Sequence, residues 1–396
     1  MPKTRTRAPA TQPEDPAIRV EILDRIAEID AAEWDRLAGT DYPFLTHAFL
    51  HAAETTGCVS RATGWQPRHV VLRSAGGAAL AAMPLYEKSH SWGEFVFDWA
   101  WAQAYHRAGV DYFPKLVSAV PFTPAPSPRL LGDPALAPAL VDAALGLARD
   151  REHSSLHVLF PGPGELEVLG AAGLKLRKDC QFHWHNRDYH SFDDFLATFS
   201  SAKRKKARRD RRHVGEQGIT FRWLSGEQID AAIWTDVYQL ISDTFLRRGS
   251  LPYFDYEFFL EISRRLPRQI LVVLAERGST PVAAAVFYVG AHALYGRYWG
   301  SDAHYNALHF ETCYYQGIEY CIANRIRRFE PGTQGEHKIS RGFVPVNTWS
   351  AHWLARPEFF AAVGRYIREE ERHVDRYMAA IDSHSPYRGD PAAGGR

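Results

Sequence analysis

The apolar and polar positions of this chain fall into one order that occurs twice. In the first half, His69-Val70-Val71-Leu72 starts a β-branched run after Pro67 and Gly76-Gly77 turns it; 78–86 reads as a second strand and the alternating aromatics of 95–101 as a third. In the second half, Ile270-Leu271-Val272-Val273 follows Pro267, Arg277-Gly278 turns it, and 281–289 and 293–299 complete a second meander. Amphipathic helical spacing precedes each meander, over 31–38 and 46–56, then over 231–247 and 256–266. A helix and a short apolar strand follow each, at 135–149 and 156–160, then at 308–324 and 326–329. Helices, an antiparallel meander, then helix and strand predict two similar α+β units, at 18–180 and 181–382. Residues 1–17 and 383–396 read as disordered tails, and the Arg388-Gly389-Asp390 triplet as chance.

Composition narrows the class. With 396 residues, 45% hydrophobic and 23% charged, the chain is ordinary globular material with room for two or three domains. No apolar run reaches the ~18 residues of a membrane span, and the N-terminus lacks the apolar core of a secretion signal. Cys58, Cys180, Cys313 and Cys321 form no C-x-x-C pair. Neither a disulfide framework nor a thiolate zinc site is therefore expected, and reduced thiols imply a cytoplasmic location. His183 and His185 share one face of a strand, yet two ligands without a third make no metal site, so no metal is expected.

A formal charge of +1 excludes a generally basic polyanion binder, but it hides a local imbalance. Residues 203–212 read K-R-K-K-A-R-R-D-R-R, eight bases and one acid, so this segment carries +7 and the rest of the chain −6. The segment belongs to a helix predicted to start at a Ser191 N-cap, with Asp193 and Asp194 in its first turn. Phe192, Phe195, Leu196 and Phe199 form one apolar face, and the helix is expected to run on to Gly215 or Gly218. A solvated face is one reading of such a charge run. The other is a polyanion site in which Lys203, Arg204, Lys205, Lys206, Arg208 and Arg209 grip the phosphates of tRNA, of a nucleotide diphosphate or of an anionic lipid surface. No interleaved aromatics are present to stack bases.

Chemistry concentrates after the last short strand. Residues 330–343 hold three glycines with Glu336, His337, Lys338 and Arg341, the make-up of a site loop on a scaffold. Lys338 and Arg341 suit the neutralising of a phosphate or a developing oxyanion; Glu336 or His337 suits taking a proton from an attacking amine. Arg297, at an aromatic strand end, and His309 and Glu311, at the start of the next helix, are candidate substrate contacts. In the first half so are Glu94, Asp98 and Trp99. Alternation along 95–101 puts the aromatics inside and turns Asp98 towards a groove or solvent.

Several segments together resemble the FemAB-like proteins, in the branch described as a peptidoglycan biosynthesis/recognition family. They are Pro43-Phe44-Leu45-Thr46-His47-Ala48-Phe49-Leu50, Lys88-Ser89-His90-Ser91-Trp92-Gly93-Glu94-Phe95-Val96-Phe97-Asp98-Trp99, Gln181-Phe182-His183-Trp184, Ser200-Ser201-Ala202-Lys203-Arg204-Lys205-Lys206, and Gly335-Glu336-His337-Lys338 with Arg341-Gly342-Phe343. The resemblance covers 18–383. It implies two tandem GNAT-like domains, each a mixed, mostly antiparallel sheet flanked by helices, and acyl or aminoacyl transfer to an amine. The better-known relatives use aminoacyl-tRNA to extend a peptidoglycan precursor peptide. The basic helix resembles their R/K-rich segment, and Lys338 with Gly342-Phe343 resembles their K-x-x-x-G-F-like stretch. This chain has no coiled-coil arm and no full Q/R-x-x-G-x-G/A acetyl-CoA loop, of which Arg297-Tyr298-Trp299-Gly300 is a partial echo.

Three readings are open on these grounds. The first is a transferase with no tightly bound cofactor, taking aminoacyl-tRNA or acyl-CoA as donor and an amine on a peptidoglycan or nucleotide-linked precursor as acceptor. The second is a non-catalytic binder of cell-wall fragments or nucleic acid on the same scaffold. The third is an acyl-CoA or acyl-carrier N-acyltransferase making a lipid or small metabolite, its aromatics lining an acyl groove.

Overall fold

The computed structural model describes residues 18–333, 335–382 and 385–388. Residues 1–17 and most of 383–396, the two expected tails, lie outside the described residues, as do Gly389 and Asp390 of the Arg-Gly-Asp triplet. A four-stranded antiparallel sheet has the order Arg19–Leu23, His69–Arg73, Ala79–Met83, Leu131–Gly132. An eleven-stranded sheet runs through residues of both halves. Its order is Ile219–Ser225, Ile270–Arg277, Thr280–Val289, Ala293–Ser301, Arg328–Glu330, Lys175–His185, Val344–Leu354, Ser155–Leu159, Lys115–Ser118, Tyr86–Lys88, Trp65–Pro67.

Among the described residues, two neighbouring pairs of strands in the large sheet are parallel, and they mark a repeated unit. Ala293–Ser301 pairs in parallel with Arg328–Glu330, and Lys115–Ser118 with Ser155–Leu159. Parallel neighbours need a crossover, and a helix supplies it each time: residues 308–323 in the second half and Ala137–Asp150 in the first. Lys175–His185 joins the two units, pairing with Arg328–Glu330 on one side and Val344–Leu354 on the other. The main core draws on both halves, with Phe44, Phe49, Trp234, Phe258 and Tyr288 in one cluster. Each such side chain contributes about 1.5–3 kcal/mol by leaving water.

The second meander forms as predicted, its three strands pairing in order. The first does not. Its hairpin sits in the small sheet, whereas Tyr86–Lys88 belongs to the large one. Pro84, which has no amide hydrogen to give a ladder, lies at the break. The aromatic third strand over 95–101 is absent. Gly93 (φ 81°) and Phe95 (φ 59°) turn the chain, and Trp99–Arg107 is helical. The predicted orientation reverses with it: Phe97 and Trp99 are exposed, and Asp98 is buried instead of facing a groove or solvent.

The basic helix is interrupted as well. Ser191 caps its first turn through the Asp194 amide, but that helix ends at Ala197 and a second runs from Ser201 to Glu216. Residues 385–388 dock into the gap. Phe199 bridges Tyr387, the Ser200 amide donates to the Pro386 carbonyl and the Arg388 amide to the Thr198 carbonyl. Backbone groups that a continuous helix would pair internally are satisfied by the far end of the chain.

One close approach seats a helix hard against the large sheet. The helix Ala231–Leu246 crosses the strand Ala293–Ser301 at Gly300, where an added Cβ would stand 2.2 Å from the Leu240 carbonyl carbon. This contact carries residues 245–253 over the strand that holds Arg297 and Trp299.

Candidate active site

Between the 91–97 loop and the strand Ala293–Ser301 lies a cavity of about 750 Å³. That volume suits a small-molecule or acyl-group site. Phe95, Phe122, Tyr253, Phe287, Tyr298 and Trp299 make its walls aromatic. Arg248, Arg297 and His309 are its basic groups, and no carboxylate lines it among the described residues. Trp99 stands at the same cavity, its ring 5.4 Å from that of Trp92.

Arg297 is half-buried, and its guanidinium has little to satisfy it. Its Nη1 donates to the Gly296 carbonyl at 3.0 Å, and its guanidinium lies over the rings of Phe44 (5.0 Å) and Tyr295 (5.8 Å). Its Nε and Nη2 are buried with no hydrogen-bond partner among the described residues. The buried Glu330 carboxylate acts on it by charge but pairs directly with Arg328, at 2.7 Å. A guanidinium buried at these atoms and left without a hydrogen-bonded counter-ion is costly, so its retention in a cavity wall points to an anionic ligand.

Lys338 stands just behind that wall. It lies in the 3-10 turn Glu336–Arg341, is 1% exposed, and donates to the Gly332 carbonyl at 2.6 Å. Gly332, at φ 100°, turns that carbonyl back towards the lysine. Burial, with Arg297 adding to it, pulls the Lys338 amine down to about 7. His309 is drawn down to about 4 by burial, then by His337 and Arg341. It is neutral at pH 7, a weak base that holds a proton only briefly.

A second depression adjoins the cavity. The basic helix supplies Lys203, Lys206 and Asp210, and the 336–341 turn supplies Glu336, His337, Ser340 and Arg341. The Arg341 guanidinium covers the Phe310 ring at 3.3 Å from its centroid, donates to the His337 carbonyl at 2.6 Å and lies 3.5 Å from Asp210. The two depressions share a wall. Tyr314 lines the cavity and shares a 2.9 Å hydrogen bond with His337, and the His309 ring lies 6.2 Å from the His337 ring.

The candidate residues thus divide among four places. Arg297, His309 and Trp99 meet at the cavity, with Lys338 behind its wall. His337, Arg341, Lys203 and Lys206 meet at the groove. Glu336 is also there, exposed, and accepts from the Tyr377 hydroxyl at 3.0 Å. Among the described residues no carboxylate pairs with Lys203, Arg204, Lys205, Lys206 or Arg209, whereas Arg208 pairs with Asp193 at 2.9 Å. Glu311 does not join the cavity. It is buried between Arg211 (3.0 Å) and the Gln316 amide (2.8 Å), its charge already matched.

Glu94 and Asp98 form the fourth place, a buried cluster around Lys115. The lysine donates to Glu94 at 2.8 Å, to Asp98 at 2.5 Å and to the Ser91 hydroxyl at 2.9 Å. Burial pushes Glu94 up to about 7. Burial works on Asp98 too, but Lys115 and the hydrogen bonds from it and Tyr112 outweigh that and hold its carboxyl below the ordinary value. Lys115 carried no local signal in the sequence, standing alone in a short apolar strand. Arg248 and Tyr253 were also missed; the Arg247-Arg248-Gly249 helix end was the one available hint.

A mixed α+β fold with two helical crossovers, holding an aromatic, cation-lined cavity between its halves, defines the class. The chain belongs to the FemAB-like family, described as peptidoglycan biosynthesis/recognition, whose model matches residues 25–389. FemX shares the fold at a TM-score of 0.53 with 12% identity, over 85% of this chain and 98% of that one. So does the C-terminal domain of a protein assigned as a lysylphosphatidylglycerol synthetase from Agrobacterium fabrum, at 0.52 with 13% identity, over 85% and 95%. A tandem GNAT protein of the clavulanic acid biosynthesis pathway aligns at 0.47 with 13% identity, over 86% and 99%. The fold is the tandem GNAT-like one that the sequence resemblance implied. No curated protein sequence matches the chain significantly. Among the described residues, no helix is long and apolar enough to cross a membrane.

Proposed function

We propose that the protein transfers an acyl or aminoacyl group from a polyanionic donor of the aminoacyl-tRNA type to an amine on a substrate seated in the cavity. The shared wall carries this reading: a basic groove and an aromatic, cation-lined cavity meet at His309, Tyr314 and His337. Phosphates of the donor lie along Lys203, Lys206 and Arg341, and its activated end reaches the cavity past that wall. The acceptor nitrogen attacks the ester carbonyl carbon, a C–N bond forms and the C–O bond to the donor breaks. Neutral His309 takes the proton that the nitrogen loses and passes it to the departing donor oxygen, which leaves as the alcohol. Arg297 stabilises negative charge developing on the carbonyl oxygen, in a cavity that no carboxylate lines among the described residues. Lys338 holds the Gly332 carbonyl and so shapes the wall, adding its field from behind. The family's peptidoglycan description supports an acceptor amine on a cell-wall precursor.

Purified full-length protein offered charged tRNA and acyl-CoA in parallel, with transfer read by mass spectrometry, tests this. Charged tRNA should be consumed, with activity falling steeply as salt rises. Lys203→Glu/Lys206→Glu should raise the donor KM about tenfold or more. His309→Asn should lower kcat by about 100-fold. Consumption of neither donor, or consumption indifferent to salt and to the groove variant, would overturn the proposal.

A further inference from the structure

The mouth of the cavity is apolar on both lips. Nine large hydrophobic residues are exposed among the described residues; three of them line this one cavity, and two more, Leu246 and Leu251, are chain neighbours of its lining residues Phe245 and Ser250. Trp92 (64% exposed), Phe97 (55%) and Trp99 (44%) line one lip. Leu246 (58%) and Leu251 (71%) flank Arg248 and Ser250 on the other. Exposed side chains of this size clustered at one place mark a surface made to be covered. Tryptophan, with an apolar ring and a polar N–H, is suited to the boundary between water and lipid. The charge agrees: Arg248 is exposed on the leucine lip, beside Arg247, whose guanidinium donates to the Thr244 hydroxyl and the Ser301 carbonyl, and no carboxylate lines the cavity behind this lip among the described residues. The basic helix lies across the dividing wall, along the neighbouring groove.

We infer that this mouth docks onto an anionic lipid bilayer, its two lips inserting among the headgroups, so that the cavity receives an amphiphilic acceptor presented by the membrane. The acceptor has an apolar body for the aromatic walls and an anionic group for Arg248 and Arg297. This inference rests on reading the cavity as the substrate site.

The probe is the full-length protein with vesicles of phosphatidylcholine alone or with about one-third phosphatidylglycerol, read by co-sedimentation and by quenching of tryptophan fluorescence with brominated lipid. Binding to the anionic vesicles, with quenching, is expected. Trp92→Ser/Phe97→Ser/Trp99→Ser should lower partitioning by about tenfold or more, as should Leu246→Ser/Leu251→Ser. Sedimentation reads the first variant, which loses two of the reporting tryptophans; unchanged unfolding midpoints establish that both variants fold. Lys205→Glu/Arg209→Glu, on the helix, should keep the quenching. The inference is overturned by absence of vesicle binding, by binding that survives both lip variants, by binding lost only in the helix variant, or by a dimer that the lip variants dissolve. Docking without any transfer would leave this inference standing and remove the proposed function. Transfer to a water-soluble amine by protein that ignores vesicles would do the reverse.

Discussion

Lys115 and Lys338 are both buried lysines that donate to a residue of the cavity wall, the Ser91 hydroxyl in one case and the Gly332 carbonyl in the other. Their remaining surroundings differ. Lys115 also has Glu94 and Asp98 within 2.8 Å. Lys338 has no carboxylate partner among the described residues, and Arg297 adds a second cation to its neighbourhood. The first cluster neutralises itself. In the second, the buried Glu330 acts on Arg297 but is paired with Arg328 at 2.7 Å, so positive charge is left over. A self-neutralised cluster has no use for a ligand's charge, and a cluster with excess charge has one, which is why the functional reading rests on the second.

The neutralised cluster extends into an ordered chain of protons. Tyr112 donates to Asp98 at 2.7 Å and its oxygen lies 3.0 Å from His157 Nε2. With the phenol proton on the carboxylate side, a hydrogen on His157 Nε2 serves the Tyr112 oxygen and the Ser155 hydroxyl 2.9 Å away, and its Nδ1 accepts. His352 Nδ1, 2.8 Å from His157 Nδ1, is then the donor, and its Nε2 accepts from Ser350 at 2.8 Å. One carboxylate thus fixes the tautomers of two histidines on neighbouring strands, both kept neutral by burial.

The largest effect should come from breaking the neutralised cluster. Lys115→Met leaves two carboxylates buried without their cation and should cost about 3–5 kcal/mol, read by urea denaturation at neutral pH. A loss under 1 kcal/mol would mean that Glu94 and Asp98 do not depend on Lys115, and the contrast with Lys338 would collapse.

This contrast was only half legible in the sequence. The second meander, the Ser191 cap and the helix pairs before each meander were readable because each is set by local spacing and capping. The loop at 330–343 was readable for the same reason, as a cluster of polar residues in thirteen consecutive bonds of chain. The Lys115 cluster gathers residues 91, 94, 98, 112, 115, 157 and 352, which no local window brings together. The aromatics of 95–101 misled because alternation alone cannot register a turn; the positive φ of Phe95, unusual for a side chain of that size, is enforced by tertiary packing. The break in the basic helix depends likewise on residues 385–388, nearly two hundred positions away.

An intermediate effect should appear as pH dependence. The Lys338 amine sits at about 7 in the folded protein against an ordinary 10.5. Between those values the unfolded chain binds a proton that the folded one does not, so stability rises with pH across that window. Below about 7 the full cost of holding the buried charge is present. Lys338→Met removes this dependence. The stability of the wild type relative to the variant should therefore climb from pH 6 to pH 10, by at most a few kcal/mol, in paired denaturation curves. A difference that stays flat would show that Lys338 is compensated in the way Lys115 is.

The smallest stability effect should come from Arg297, and it sharpens the comparison most. Arg297→Met removes a guanidinium whose Nε and Nη2 have no partner, and keeps an apolar stem against Phe44. Replacing a poorly compensated buried charge by an apolar side chain is commonly neutral or stabilising, so the unfolding free energy should change by no more than about 1 kcal/mol, with a gain the favoured direction. Binding should respond in the opposite way. Affinity for an anionic amphiphile, followed by fluorescence titration with a lysophosphatidylglycerol probe, should fall about tenfold or more, because the charge-assisted contact is lost. A variant that loses more than 2 kcal/mol of stability while still binding the probe would place Arg297 with Lys115, as a cation held for the fold. The opposite pattern, stability kept and binding lost, is what a cation held for a ligand requires.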